Sequence, residues 1–337
     1  MIYILSKTDL KIKDIIQTSE YEINTNISLT GKSAFKIYRQ PIAEGQDLIV
    51  IGDYKGIITS IETEKDINSF TINVNQLDDL FDRKLILAKE NLISTIGIED
   101  FIKETILDNF KTSLDTLLNI PYINITVLTH TLVNASVPTT EGIYNFRTYL
   151  GNARELYNIV LDYKFTSTTL DITISKNELS VLEVDATVSD IITYDEVYNV
   201  NVTAKVTVLS KATGNTFNYY LLTDRTTTTD INHPNRAKGG IDIVVCEVDS
   251  EAIQAGLDAF RSNNYQHNIE LTLTKESKFF NEQDFVIGRD LKIKTKDNGI
   301  YETFIRKINK KSDSNIYNVK CGNMRITLIE KLKGVLR

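Results

Sequence analysis

The chain has 337 residues, 42% of them hydrophobic and 25% charged, so it is long enough for two or three domains with buried cores. Its 38 basic and 45 acidic residues leave a net charge of −7, which argues against a nucleic-acid binder that works by neutralising phosphates. Two cysteines exclude a disulfide scaffold, three scattered histidines leave little for a metal cluster, and 15 glycines and 4 prolines exclude a collagenous or linker-dominated chain.

Met1-Ile-Tyr-Ile-Leu-Ser6 lacks a basic region and reads as a first strand, not a signal peptide. No apolar run approaches the ~18 residues of a membrane span. The expectation is a chain made in a cytoplasm with no stable membrane insertion.

Short β-branched or aromatic runs follow at 3–5, 22–29, 33–38, 47–51, 56–62 and 69–74, separated by turn residues such as Thr30-Gly31-Lys32 and Gly52-Asp53. Strands at this spacing predict a sandwich or barrel. The same texture returns over 170–248 and from Ile269 to the C-terminus. Three helices are predicted between these stretches. Over 98–118, Ile98, Phe101, Ile102, Ile106, Phe110, Leu114, Leu117 and Leu118 form one apolar stripe at i, i+3, i+4 spacing. A second helix is predicted over 146–160, with Tyr149, Leu150, Leu156, Tyr157 and Val160 on its apolar face. A third spans 250–260, with Asp249 or Ser250 as N-cap.

One pattern occurs twice. Gly45-Gln-Asp47-Leu48-Ile-Val50 precedes Gly56-Ile57 by the same eleven-residue glycine interval that separates Gly288-Arg-Asp290-Leu291-Lys-Ile293 from Gly299-Ile300. Each unit reads as strand, glycine turn, strand, polar hairpin, strand, with the aspartate able to bond the turn backbone. Duplication explains this; chance recurrence of a common turn type stays open.

The candidates for chemistry are weak. Gly31-Lys32-Ser33 lacks the upstream glycine and following helix of a phosphate-binding loop and reads as a hairpin turn. His130, His233 and His267 have no partner at metal-ligand spacing, and Cys246 and Cys321 sit in apolar strands, where cysteine acts as a small hydrophobe. A Cys–His pair brought together by the fold stays open. Asp78-Asp79 and Asp195-Glu196 read as adjacent strand residues pointing to opposite sides, whereas Glu99-Asp100 fits the first turn of a helix. A carboxylate site assembled from distant positions stays open. Neither the 226–240 loop nor the basic C-terminal stretch (Lys307, Lys310, Lys311, Lys331, Lys333, Arg337) specifies more than a solvated or docking surface. No catalytic, cofactor-binding or metal residue is assigned, and no enzyme activity or cofactor is expected.

In the order of its elements the chain resembles the gp27-like hub proteins at the tip of bacteriophage tails, the tail-associated proteins of phages of low-GC Gram-positive hosts. The residues that carry the resemblance are Ile49-Val-Ile-Gly-Asp53-Tyr-Lys-Gly56 with Leu80-Phe-Asp-Arg83, then Phe146-Arg-Thr-Tyr-Leu150-Gly-Asn-Ala-Arg154, then Asn218-Tyr-Tyr-Leu-Leu222, and last Ile287-Gly-Arg-Asp290-Leu with Tyr317-Asn-Val-Lys-Cys-Gly322. The resemblance implies a mainly β (α+β) fold with two similar small antiparallel β-barrel tube domains, an inserted α/β domain and a β-rich middle domain. It divides the chain at 1–90 (first barrel), 91–176 (insertion), 177–248 (middle) and 249–337 (helix plus second barrel).

It further implies a structural virion protein at the tail tip, a homotrimer whose six barrels continue the hexameric tail tube and form or close the DNA channel. The implied partners are the tail tube, distal tail and tape measure proteins and a tip, receptor-binding or spike protein, with DNA passing the lumen without specific binding. The chain stops at Arg337, soon after the second barrel, so a hub without an appended hydrolase is expected. The alternatives are a cell-wall-degrading tail peptidase or glycosidase, and the hub of a contractile injection system.

Overall fold

A computed structural model describes residues 1–18, 20–64, 69–86, 97–131, 143–198, 203–222, 226–262, 267–294 and 300–322. By contact density the chain divides into one unit of Met1–Tyr194 with Glu270–Cys321 and a second of Asp195–Ile269 with Gly322–Arg337. The fold is mainly β and largely antiparallel.

The first seven strands are β1 (Ile2–Leu5), β2 (Ile12–Ile16), β3 (Glu20–Asn26), β4 (Lys32–Ile37), β5 (Leu48–Ile51), β6 (Tyr54–Glu64) and β7 (Ser69–Gln76). Alternation of buried and less buried residues along β4 and β7 is the period-2 pattern of strands that cover one core. In β5 the run Leu48-Ile-Val-Ile51 is apolar at every position because both its faces are covered. Ile49 joins a core with Ile2, Ile4, Phe35, Ile58 and Ile72, while Leu48 joins the core of the helical layer. The sequence-derived strands are present; β2 is an addition.

A 3-10 turn (Leu77–Phe81) and β8 (Lys84–Ile86) lead into the helical layer: α1 (Ile98–Ile106), β9 (Ile123–Val127), β10 (Ile143–Asn145), α2 (Phe146–Tyr157), β11 (Ile159–Phe165) and β12 (Leu170–Lys176). Phe81, Phe101, Phe110, Phe146 and Tyr149 pack ring to ring with centroids 5.1–6.1 Å apart. The first predicted helix is shorter than its stripe. α1 passes into a π-turn (Leu107–Lys111), and Leu114 and Leu117 are fully exposed instead of buried. Helix there is replaced by a local knot of bonds, in which Ile120 N donates to the Phe110 carbonyl and Asn119 binds the Ser113 backbone at both ends. The second helix stops at Tyr157. Asn158 takes the left-handed cap conformation (φ 61°), and Val160 belongs to β11.

β13 (Leu182–Asp185) and β14 (Ile191–Tyr198) return the chain to the large sheet. The second unit holds β15 (Thr203–Ser210), β16 (Thr216–Leu221), β17 (Thr227–Thr228), β18 (Gly240–Cys246) and α3 (Ala252–Ser262). Its sheet runs β17-β16-β15-β18, and Ala252, Ala259 and Phe260 of α3 pack on Val206, Val208, Tyr219 and Cys246. The predicted cap is not formed. Asp249 lies in a 3-10 turn, and its carboxylate instead accepts from Thr213 Oγ1 (2.5 Å) and Asn215 Nδ2 (2.8 Å) of the β15–β16 hairpin.

β19 (His267–Thr274), β20 (Asp290–Lys294), β21 (Ile300–Lys311) and β22 (Ile316–Gly322) complete a 13-stranded sheet. Its main path is β14-β19-β22-β21-β3-β4-β7-β6-β5-β1-β2, with β20 and β13 branching from β21. The two sequence repeats are therefore meanders of one continuous ladder: β5-β6-β7 and β20-β21-β22.

Candidate functional site

The features with the clearest structural logic are the two meanders and the strand edges they present. Their registers match. Leu48 pairs with Ile57 and Ile51 with Tyr54; in the second meander Asp290 pairs with Phe304 and Ile293 with Tyr301. Each meander opens with the same β-bulge. Gln46 N donates to the Ile58 carbonyl (2.7 Å) while Ile58 N donates to that of Asp47 (2.9 Å). Likewise Gly288 N donates to the Ile305 carbonyl (2.8 Å) and Ile305 N to that of Arg289 (3.0 Å). Gln46 and Gly288 both have positive φ, 73° and 85°.

This matching corrects the glycine alignment of the sequence. Gly288 is the counterpart of Gln46, not of Gly45, and Gly56 lies inside β6 opposite Ile49, whereas Gly299 is outside the described residues. The equal glycine intervals are coincidental; the duplication lies in register and bulge. Asp47 does bond its turn, accepting from Glu44 N (2.7 Å) and from Lys13 Nζ (2.9 Å). Its counterpart is Arg289, which bonds the Asp284 carbonyl (2.8 Å) and the Ser180 carbonyl (3.0 Å). Composition follows environment. The second face of β5, covered by the helical layer, carries Leu48. The corresponding face of β20 carries Asp290, Lys292 and Lys294, and the two lysines pair with Glu183 and Asp185 of β13.

The β3–β4 pair joins the two meanders. β4 pairs with β7 of the first, and β3 adds to β21 of the second in antiparallel register from Lys307↔Asn26 to Lys311↔Glu22. Ser312 N donates to the Tyr21 carbonyl (2.9 Å) and Ile27 N to that of Arg306 (2.8 Å). Side chains reinforce the seam: Asn309 Nδ2 donates to Glu22 (2.7 Å) and Asn24 (2.6 Å), and Lys311 lies 3.4 Å from Glu22. These bonds, with Lys311 beside it, hold the Glu22 carboxyl below the usual carboxylate range against some desolvation. A shallow groove of about 300 Å³ follows this seam, lined by Glu20, Lys36, Thr71 and Asp313 among others. Its mixed-charge, open character suits a polar contact surface better than an enclosed substrate site.

The remaining titratable candidates have structural engagements. Asp78 and Asp79 sit in the 3-10 turn, not a strand, and point apart. Asp78 is buried and accepts from Tyr163 Oη (2.6 Å), while Asp79 pairs with Arg147. Burial pushes the Asp78 carboxyl and the Tyr163 phenol up, and lowers the buried Arg154 guanidinium that faces them. Glu99, fully buried at the start of α1, accepts from Thr129 Oγ1, Thr131 Oγ1 and Thr131 N within 3.0 Å. His130 pairs with Asp100 (2.6 Å), and His233 Nδ1 accepts from Asn235 N. The side chains of His267 and Glu196 and the basic residues beyond Gly322 lie outside what the structure describes. Cys246 Sγ donates to the Val248 carbonyl, and Cys321 is a free, buried thiol pushed up by desolvation. Among the described residues no group of three His, Cys, Asp or Glu could hold a metal ion, and no helix is long and apolar enough to cross a membrane.

Comparison with known proteins gives the fold a class. No protein-family model and no curated protein matches the sequence. Solved structures do match along nearly the whole chain. A tail protein from Neisseria meningitidis MC58 superposes with a TM-score of 0.57 at 13% identity, covering 96% of both chains. Prophage tail protein gp18 from Listeria monocytogenes EGD-e gives 0.54 at 8% identity, covering 99% of this chain and 98% of its own. The 43 kDa tail protein of prophage MuSo2 from Shewanella oneidensis gives 0.54 at 14% identity, covering 96% and 98%. The chain thus has the fold of phage tail proteins. Those relatives come from three bacterial genera, so the likeness does not select the low-GC Gram-positive hosts.

Proposed function

We propose that this protein is a structural component of a phage-type tail: the hub at the tail tip, acting as a homotrimer and not as an enzyme. The observation that carries the reading is the pair of register-matched meanders already joined, through β3 and β4, in one ladder within one chain. A joint that repeats by rotation closes into a ring. Three chains supply six meanders, the number needed to abut a hexameric tail tube. Pairing edges around a ring also removes exposed strand edges, a standing aggregation risk.

On this reading the four segments 1–90, 91–176, 177–248 and 249–337 act as first barrel, insertion, middle domain and second barrel. The insertion and middle domain carry exposed apolar residues suited to neighbours in the tail. Leu114 and Leu117 stand out in the first, and Ile241, Ile243 and Val245 on the edge strand β18 in the second. The partners are the tail tube, distal tail and tape measure proteins on one side and a tip, receptor-binding or spike protein on the other. DNA passes the bore without specific contacts, in keeping with the net charge of −7. The test is immunogold labelling of assembled tails with an antibody to this chain: label confined to the tip supports the hub, and label along the tube or absent from particles overturns it. A zymogram on host cell wall, expected blank, tests the enzymatic alternative.

A further inference from the structure

The matched registers allow the joint between copies to be read from the joint within the chain. Ile58 and Ile305 are equivalent bulge partners. Six residues beyond each, β6 ends at Glu64 and β21 at Lys311, and four residues separate each from the next strand, β7 or β22. Ser60–Glu64 of β6 therefore occupies the place of Lys307–Lys311 of β21, the segment that β3 covers. On β6 that edge bears no strand among the described residues, since β5 pairs only with Tyr54–Ile57. At the far end of the ladder β14 flanks β19 as β3 flanks β4, and the ladder ends there among the described residues. One chain thus carries one filled joint, one open acceptor edge and one open donor strand.

We propose that β14 of one copy adds antiparallel to Ser60–Glu64 of β6 in a second copy, repeating the β3–β21 joint and closing the ring. This rests on the trimeric hub reading and specifies its contact.

The two joints differ in charge. Within the chain, acidic Glu22 meets Asn309 and Lys311. Between copies, the exposed Glu62 stands where Asn309 does, and β14 brings the exposed Asp195. Like charges across a strand pair oppose pairing, and salt relieves them. The inter-copy joint is therefore the weaker one and closes more readily as ionic strength rises. This is the opposite of what a joint held by opposite charges would do.

The amide phase supplies a selective probe. Ser312 N faces β3, so by alternation those of Lys310 and Ile308 do too, and their counterparts Thr63 and Ile61 aim at the open edge. Thr63 is exposed, and Thr63→Pro removes that amide, whereas Thr63→Val keeps it. Sedimentation of the full chain is measured in dilute buffer and in about 1 M salt. The expected result is a trimer favoured by salt in the wild type and in Thr63→Val, and a monomer with unchanged circular dichroism in Thr63→Pro. A Thr63→Pro trimer as stable as wild type overturns this joint and leaves the hub reading standing. A wild-type monomer at every salt concentration overturns both. Should Thr63→Pro fail to fold, Glu62→Lys decides: about tenfold tighter trimerisation in dilute buffer is expected from three relieved pairs per ring, and unchanged or weaker association overturns the joint.

Discussion

Gln46 and Gly288 hold the same backbone position in two meanders of one chain, each left-handed and each opening a bulge against an isoleucine, Ile58 or Ile305. Glycine takes this conformation freely; glutamine pays steric strain of about 1–2 kcal/mol for it, partly offset by its smaller loss of chain entropy. Gln46→Gly is therefore expected to raise stability by about 0.5 kcal/mol, and Gly288→Ala to lower it by about 0.5–1 kcal/mol. Urea midpoints of the two variants measure this opposed pair of shifts.

Asp14 should set part of the acid limit of the protein. Its nearly buried carboxylate accepts from Arg39 through both terminal nitrogens and from the backbone N–H of Ile42 (2.9 Å) and Ile15 (2.8 Å). The Arg39 bonds, then those backbone bonds, hold it below the usual carboxylate range despite some desolvation. A folded pKa below the unfolded value of about 3.9 gives stability that is full above about pH 4 and lost as pH falls through the folded pKa. Arg39→Ala is expected to shrink that acid-dependent loss, and Asp14→Ala, which strands two backbone donors, to cost about 2 kcal/mol at pH 7. Thermal unfolding across pH 2.5 to 7, roughly spanning this transition, checks both.

Tyr163 is the hydrogen-bond donor that makes buried Asp78 tolerable. Tyr163→Phe leaves shape nearly intact but removes the donor, at an expected cost of about 1–3 kcal/mol. Chemical denaturation at pH 7 reads it. A variant as stable as wild type would mean that Arg154 alone satisfies the carboxylate.

Gly56 is required for closeness, not for turning. A Cβ there would lie 2.4 Å from the Asn75 carbonyl oxygen and 2.4 Å from Val74 Cγ1, so β6 could not keep its distance from β7. Gly56→Ala is expected to destabilise by about 1–3 kcal/mol, with reduced amide protection along β6 and β7.

Strands were legible in the sequence wherever one face is wet, as in β4 and β7, because burial then alternates with the pleat. The helices were legible in place but not in extent. Apolar spacing through Leu118 suggested a longer α1, yet the chain leaves the helix after Lys111 and exposes Leu114 and Leu117. A helical stripe shows that a face could be buried, not that anything covers it. The duplication was visible through its turns, but the glycines misalign it: Gly288 matches Gln46, one residue past Gly45, and the longer β20–β21 hairpin puts Thr303, not Gly299, in the place of Gly56. The seam was invisible. Glu22 and Asn309 are 287 positions apart, and no local pattern announces that two strands so distant share a ladder.

The unequal hairpins have a consequence for whatever docks beside them. β5 turns into β6 across two residues, Gly52 and Asp53, whereas β20 turns into β21 across five, 295–299. In the proposed ring of three chains, connections of two and of five residues would alternate around one rim. A partner resting on that rim would meet three of each, not six equal ones, and could choose its rotational setting by them. The proposed ring would thus present sixfold spacing through its strands and threefold spacing through its turns.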